Sequence, residues 1–331
     1  FAWQDEWFKR TWNTVELDDA NRRPFWSNAQ TNEQHFGLLN FDRMAVHTDG
    51  QQDDWRGIEP SYQSKKEPVS SMYTTSDERY LYVRLDSDAK SKWLSENKAH
   101  LLFDVTPKSG NDAIEEVKNI QFNQPFADFW LSFDYVNKAE LKVDAYYDVF
   151  YNLYGVNLKM LNPPIVKPKQ NSGSFNEIHL ALNKEFKRPD TGEIYPFSSY
   201  NTGDMRFGNS NPTSSEFDSL ADYFYDEKTG ILEIRIPWLL LNMKDPSTKK
   251  AFGDLYMHGV DSEELIDDIG IAFVLVDQQG KVVQSYPQFE SGSMPVEQVF
   301  RYDWEKWERP QYTERLKMSY TIIQETFKNT P

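Results

Sequence analysis

Short runs in which apolar and polar side chains alternate, each closed by a turn, recur along this chain and constrain its fold more than any other feature. Val69–Thr74 is followed by the turn TSDER and then by Tyr80–Leu85, which reads YLYVRL. Successive side chains of a strand leave opposite faces, so Leu81, Val83 and Leu85 form one face and Tyr80, Tyr82 and Arg84 the other. Leu220–Tyr225 and Ile231–Ile236 flank DEKTG, and Ile269–Val276 and Val282–Tyr286 flank DQQGK. A Gly-containing turn between two patterned strands predicts a hairpin. Further strands are expected at Phe41–His47, His100–Val105, Ala127–Tyr135, Glu140–Val143 and Glu177–Leu182. Many short strands with turns between them predict a mainly β fold, a two-sheet antiparallel β-sandwich with long loop insertions.

Three segments break the pattern. Residues 1–40 are polar, Trp-rich and aperiodic, and read as a connector or arm from a preceding domain. Pro163–Ser174 reads as a long loop, and residues 186–219, rich in Gly, Pro, Ser and Asn, as irregular structure. After Pro310, Tyr312, Leu316, Tyr320, Ile323 and Phe327 recur at helical spacing, predicting a C-terminal amphipathic helix. The expected organisation is therefore a connector over 1–40, a sandwich over 41–300 and a helix packed on it within 301–331.

Composition narrows the function classes. Aromatic residues make up 15% of the 331 positions, enough to build a core and to leave flat rings on the surface. The formal charge of −16 opposes nucleic acid and anionic membranes. No apolar run is long enough to cross a bilayer, so no membrane insertion is expected. Without cysteine, disulfides, thiolate zinc sites and cysteine nucleophiles are excluded. Five scattered histidines lack metal-ligand spacing, and no nucleophile elbow, phosphate loop or dinucleotide fingerprint occurs. Adjacent acidic pairs are about as frequent as random placement of 52 acids would give, so they carry no catalytic signal. No catalytic residue is assigned. The chain opens at Phe1 without Met, and is read as a piece of a longer protein.

Four patterns occur in order: DGQQDDW with Asp49, Gly50, Asp53 and Trp55; SDERYLYVRLD; LLFDVTPKSGND with Asp104 and Asn111; and GILEIRIPWLLL. Together they resemble the family-9 carbohydrate-binding modules. The resemblance implies an antiparallel sandwich that binds sugar, often with structural calcium, as a non-catalytic accessory of a secreted or cell-surface glycan-processing protein. Relatives that serve only as structural attachments make docking on a neighbouring domain the alternative. A glycoside hydrolase using carboxylates of residues 186–219 is the third reading. The segment from Leu153 to Phe217 has no counterpart in the family pattern. The opening FAWQDEWFK is similar to the last strand and loop of a TIM-barrel glycosidase-like domain, which implies such a barrel as the upstream partner.

Sugar rings stack their C–H patches on aromatic faces, so exposed rings are the candidate ligand contacts. Trp93 lies in the polar stretch SKWLSEN, and Trp130 alternates with Phe129 and Leu131. Either could form a platform with tyrosines of DAYYDVFYNLYG, namely Tyr146, Tyr147 and Tyr151. Trp55 and Trp238 sit within the family-like patterns, where a core position and a ligand contact are both open. For calcium, Asp104, Asn111 and Asp112 surround the flexible Gly110, and Asp49, Asp53 and Asp54 form a second set; neither has EF-hand spacing.

Overall fold

The computed structural model describes residues 46–87, 92–107, 109–307 and 318–328. The 1–40 connector, Tyr312, Leu316 and most of the strand expected at Phe41–His47 lie outside them. Residues 46–307 form one compact unit; the helix α3 (Met318–Lys328) belongs to a second and is described by itself. Its Ile322, Ile323 and Phe327 are exposed.

In chain order the first unit contains β1 (Tyr62–Gln63), β2 (Val69–Ser76), β3 (Tyr80–Ser87), the one-turn helix α1 (Trp93–Glu96) and β4 (Lys98–Asp104). Next come β5 (Phe129–Tyr135), β6 (Lys138–Asp144) and β7 (Phe175–Glu177). The insertion carries β8 (His179–Asn183), β9 (Phe186–Lys187), β10 (Ile194–Tyr195), β11 (Ser198–Asn201) and β12 (Asp204–Met205). β13 (Tyr223–Asp226), β14 (Ile231–Pro237), β15 (Met243–Asp245) and β16 (Lys250–Ala251) follow, then the short helix α2 (Leu255–His258). β17 (Glu264–Leu265), β18 (Asp268–Val276), β19 (Val282–Tyr286) and β20 (Phe300–Asp303) complete the unit.

The strands build the expected sandwich. One sheet has five strands in the order β1-β2-β3-β14-β13; the other has eight, running β12-β6-β5-β4-β18-β19 with β7 on β6 and β20 on β18. Every strand pair in both sheets is antiparallel. Leu81, Val83 and Leu85 of β3 and Leu232, Ile234 and Ile236 of β14 join one core with Leu101, Phe103, Phe129, Leu131, Ile271 and Phe273 of the facing sheet. Each such side chain contributes roughly 1.5–3 kcal/mol by leaving water.

A second core lies on the other face of the large sheet. Leu102, Trp130, Ala272 and Val274 pack there beneath Ile114, Ile120, Phe122 and Phe126 of the loop after β4 and Met294 and Val296 near the end of the unit. The outer face of the five-stranded sheet is covered too. Tyr82 and Arg84 of β3 are buried, and Arg84 forms a two-pronged pair with Asp86 at 2.6 Å while lying over the rings of Trp55 and Tyr73.

Residues 186–219 depart from the irregular structure expected of them. β8 pairs with β11 and β9 with β10, making a hairpin arm from residue 179 to 201. Tyr200 faces Leu180 and Phe186 faces Tyr195 across it, so apolar cross-strand pairs close the arm where composition suggested loops. Only the stretch beyond β12 is irregular.

Candidate functional site

The aromatic platforms expected from the sequence are not surface features. Trp93 is only 1% exposed: it opens α1, packs edge-on against Tyr225 at 5.8 Å and donates Nε1–H to the Gly230 carbonyl. Trp130 is 4% exposed, because the face that turns away from the first core is the floor of the second; its Nε1–H donates to His100 Nδ1 at 3.0 Å. Burial lowers the His100 imidazole to about 4, so it stays neutral and accepts that bond. Trp55 donates to Glu233 Oε1, and Trp238 donates to the Asp77 carbonyl and leans on Trp304. A buried indole whose N–H is already bonded within the protein presents no free face or donor. Of the tyrosines, Tyr151 is half-buried beside Phe150 and His179, whereas Tyr146 and Tyr147 are mostly enclosed but line an open cavity.

Neither carboxylate set converges as a hard cation requires. Asp104 pairs with Arg301 at 2.6 Å, Asn111 accepts from Gly173 N at 2.7 Å, and Asp112 exchanges bonds with Asn171. Asp49 bonds Gln51 N and the Asn211 amide, Asp53 pairs with Arg56, and Asp54 accepts from His47 N. Asp54 Oδ1 and Asp104 Oδ1 are buried without a hydrogen-bond partner, but the other groups are bonded elsewhere, and neither set gathers the ring of oxygens of a calcium cage. No group of three metal-ligating side chains occurs among the described residues.

What the DGQQDDW loop does hold is a carboxylate. Glu233, on the outward side of β14, accepts from Gly50 N at 2.6 Å, Asp49 N at 2.8 Å and Trp55 Nε1 at 2.7 Å. Gly50 adopts a positive φ of 78°, which lets its N–H turn onto that oxygen. Burial pushes the carboxyl up to about 8; the two backbone N–H groups oppose the shift, and the charges of Asp54 and Asp49 add to it.

The loop after β4 is closed in a similar way. Asp128, fully buried, accepts from Val105 N, Thr106 N and the Ser109 hydroxyl, and burial beside Asp104 raises its carboxyl well above the usual range. Gly110, at φ 85°, sits so close to Ala127 that a Cβ would meet its backbone at 2.8 Å. The loop is thereby held tight against the sheet, and its Thr106, Pro107, Ser109 and Gly110 form one wall of the cavity.

This cavity, of about 280 Å³, is the candidate site. Opposite the loop stand Asp144, at the end of β6, and Tyr146 and Tyr147 just beyond it; Gln170 and Asn171 come from the Pro-rich segment, Asp254 from the start of α2 and Glu264 from β17. Tyr146 Oη donates to both oxygens of Asp254, at 3.0 and 3.1 Å, while Asp254 caps α2 through Tyr256 N and Met257 N. Tyr147 Oη donates to the Phe252 carbonyl at 2.7 Å. Asp144 caps the turn through Tyr146 N, and burial pushes it up to about 6 against that bond. Burial, then the bond to Asp254, pushes the Tyr146 phenol up to about 12, so it is a neutral donor at physiological pH. Three carboxyls, two amides, two hydroxyls and two phenol rings meet in a space of small-molecule size.

Of the ligand contacts expected from the sequence, the structure brings Tyr146 and Tyr147 into this cavity, with Gly110 of the expected calcium loop in its wall; Asp144, Asp254, Glu264, Thr106 and Gln170 were missed. The one sequence signal was DAYYD itself, since a strand that ends on a carboxyl followed by paired tyrosines puts both chemistries at a sheet edge. Among the carboxylates of residues 186–219, Asp190 pairs with Arg188 and Asp218 with Arg206 on the surface. Compared with known proteins, the sequence matches no family model and no curated protein.

Proposed function

We propose that the 46–307 unit is a carbohydrate-binding accessory domain of a secreted glycan-processing protein and that its sugar site is the Asp144–Asp254–Glu264 cavity. The observation that carries this reading is the mixture of groups on one small wall. Carboxylates accept from, and amides both accept from and donate to, the vicinal hydroxyls of a sugar. A volume at the lower end of ligand-pocket sizes, about 300 Å³, suits one sugar unit at a chain end rather than a stretch of polymer. The ordered patterns that resemble family-9 modules support the same class of ligand. A glycan array with the intact protein tests it. Binding to a defined set of glycans that is lost in Asp254→Asn, with the fold retained, is the expected outcome; silence across the array sinks the reading. A parallel array in chelator decides whether calcium has any part.

A second reading has its own observation. The hairpin arm carries Leu180, Leu182, Phe186, Ile194, Tyr195 and Tyr200, all exposed. Single apolar residues on a surface need no explanation, but a cluster on one projecting element marks an interaction site. Docking on an upstream glycosidase-like barrel would cover it. The two readings use different residues and are separable by mutation.

A further inference from the structure

We infer that the cavity selects a sugar unit bearing a free ammonium, of the glucosamine type, over its N-acetylated and neutral counterparts. The inference rests on the sugar-binding reading above and adds the charge of the ligand to it. Its first ground is the wall itself: Asp144, Asp254 and Glu264 bring three acidic groups, and no lysine or arginine is among the described lining residues. A neutral hexose needs acceptors and donors in rough balance. An ammonium presents three donors and no acceptor, and this wall is weighted toward acceptors.

The second ground is independent of the acids. Lys167, on the Pro-rich segment that also supplies Gln170 and Asn171, places its Nζ 5.3 Å from the centroid of the Tyr146 ring and 4.6 Å from that of Tyr256. The two rings lie 4.8 Å apart at 45°, with the Asp254 carboxylate bonded to the Tyr146 hydroxyl. Of the two rings Tyr146 lines the cavity, and a phenol face beside a carboxylate suits an ammonium, here the chain's own lysine.

The arrangement therefore favours a cationic unit, with Lys167 as an internal competitor for the Tyr146 ring.

Three β-1,4-linked tetrasaccharides separate the possibilities: glucosamine, N-acetylglucosamine and glucose, each titrated calorimetrically into the intact protein at pH 6.5. Glucosamine tetramer is expected to bind at least tenfold more tightly than either other. Lys167→Ala is expected to raise its affinity several-fold, and Asp254→Asn to bring the three ligands within about threefold of one another. Neutral tetramers that bind as well as glucosamine would overturn the charge selectivity and leave the sugar site standing. Failure of all three, together with a silent glycan array, would remove both.

Discussion

Glu233 and Asp144 are both carboxyls taken out of water, and burial holds both above the usual range. They differ in what completes them. Every bond that Glu233 accepts comes from the chain's own DGQQDDW loop: two backbone N–H groups and an indole. Asp144 accepts from the Tyr146 N–H and from the Asn111 side chain, and it also lines an open cavity. A depth measurement would rank the two alike. All of Glu233's partners lie within the fold, which makes it a latch, whereas Asp144 also faces the cavity proposed as the sugar site.

The largest effect should come from breaking the latch. Glu233→Ala orphans three donors beneath a covered loop and is expected to destabilise the protein by about 3 kcal/mol or more, since each buried unpaired polar group costs ~1–3 kcal/mol. Urea unfolding measures it. Asp144→Asn keeps an oxygen for the Tyr146 cap and is expected to change stability by less than about 1 kcal/mol. Equal losses in the two variants would erase the distinction.

The pH dependence of folding separates them next. A carboxyl raised in the folded state binds more protons folded than unfolded, so its contribution is present below the unfolded value and is lost as pH rises through the folded one. For Glu233 that window runs from about 4.5 to about 8, and for Asp144 from about 3.8 to about 6. The charges of Asp54 and Asp49 face Glu233 and oppose its own. Stability should therefore fall between pH 5 and 8 by more than about 1 kcal/mol, read by unfolding at fixed temperature. Glu233→Gln should flatten the slope above pH 6.5, whereas Asp144→Asn should flatten only its acidic part.

How much of this was legible in the sequence follows the same division. Period-two patterns in YLYVRL and ILEIRI placed β3 and β14 within a few residues, because burial of alternate side chains is a local property. Whether the remaining face is open is not local. Trp130 sits on the outward side of β5 as its alternation requires, yet the loop after β4 roofs it. Trp93 lies in a polar stretch but opens a one-turn helix that drops its ring into the core. The cavity was hidden for a similar reason. Asp144, Gln170, Asp254 and Glu264 are far apart in the chain, and only the closure of the sandwich gathers them. Tyr146 and Tyr147 belong to the tyrosine-rich DAYYDVFYNLYG and line the cavity because they directly follow the end of β6.

On the cavity side, ligand affinity should move where stability does not. Asp254→Asn keeps an oxygen for the Tyr256 and Met257 caps but removes the charge beside the Tyr146 hydroxyl. A loss of about tenfold in glycan affinity, equivalent to ~1.4 kcal/mol, is expected from calorimetric titration with an unchanged unfolding midpoint. A shifted midpoint with unchanged affinity would make Asp254 another latch residue and move the site elsewhere.

The smallest effect on stability is expected at the hairpin arm, and it sharpens the contrast from the other direction. Phe186 and Tyr195 are direct cross-strand partners, both exposed, and neither belongs to either core. Direct partners in an antiparallel pair contribute roughly 0.2–1 kcal/mol, and little else depends on these two rings. Phe186→Ser with Tyr195→Ser should therefore cost less than about 1 kcal/mol while removing most of the apolar surface at the arm's end. A dye that fluoresces on exposed apolar surface should bind the native protein and lose most of its signal in the double variant, with glycan affinity intact. If dye binding persists undiminished, the accessible apolar surface lies elsewhere and the arm loses its claim as the docking element. If glycan affinity falls with it, the arm and the cavity act together, and the two readings of the protein merge into one.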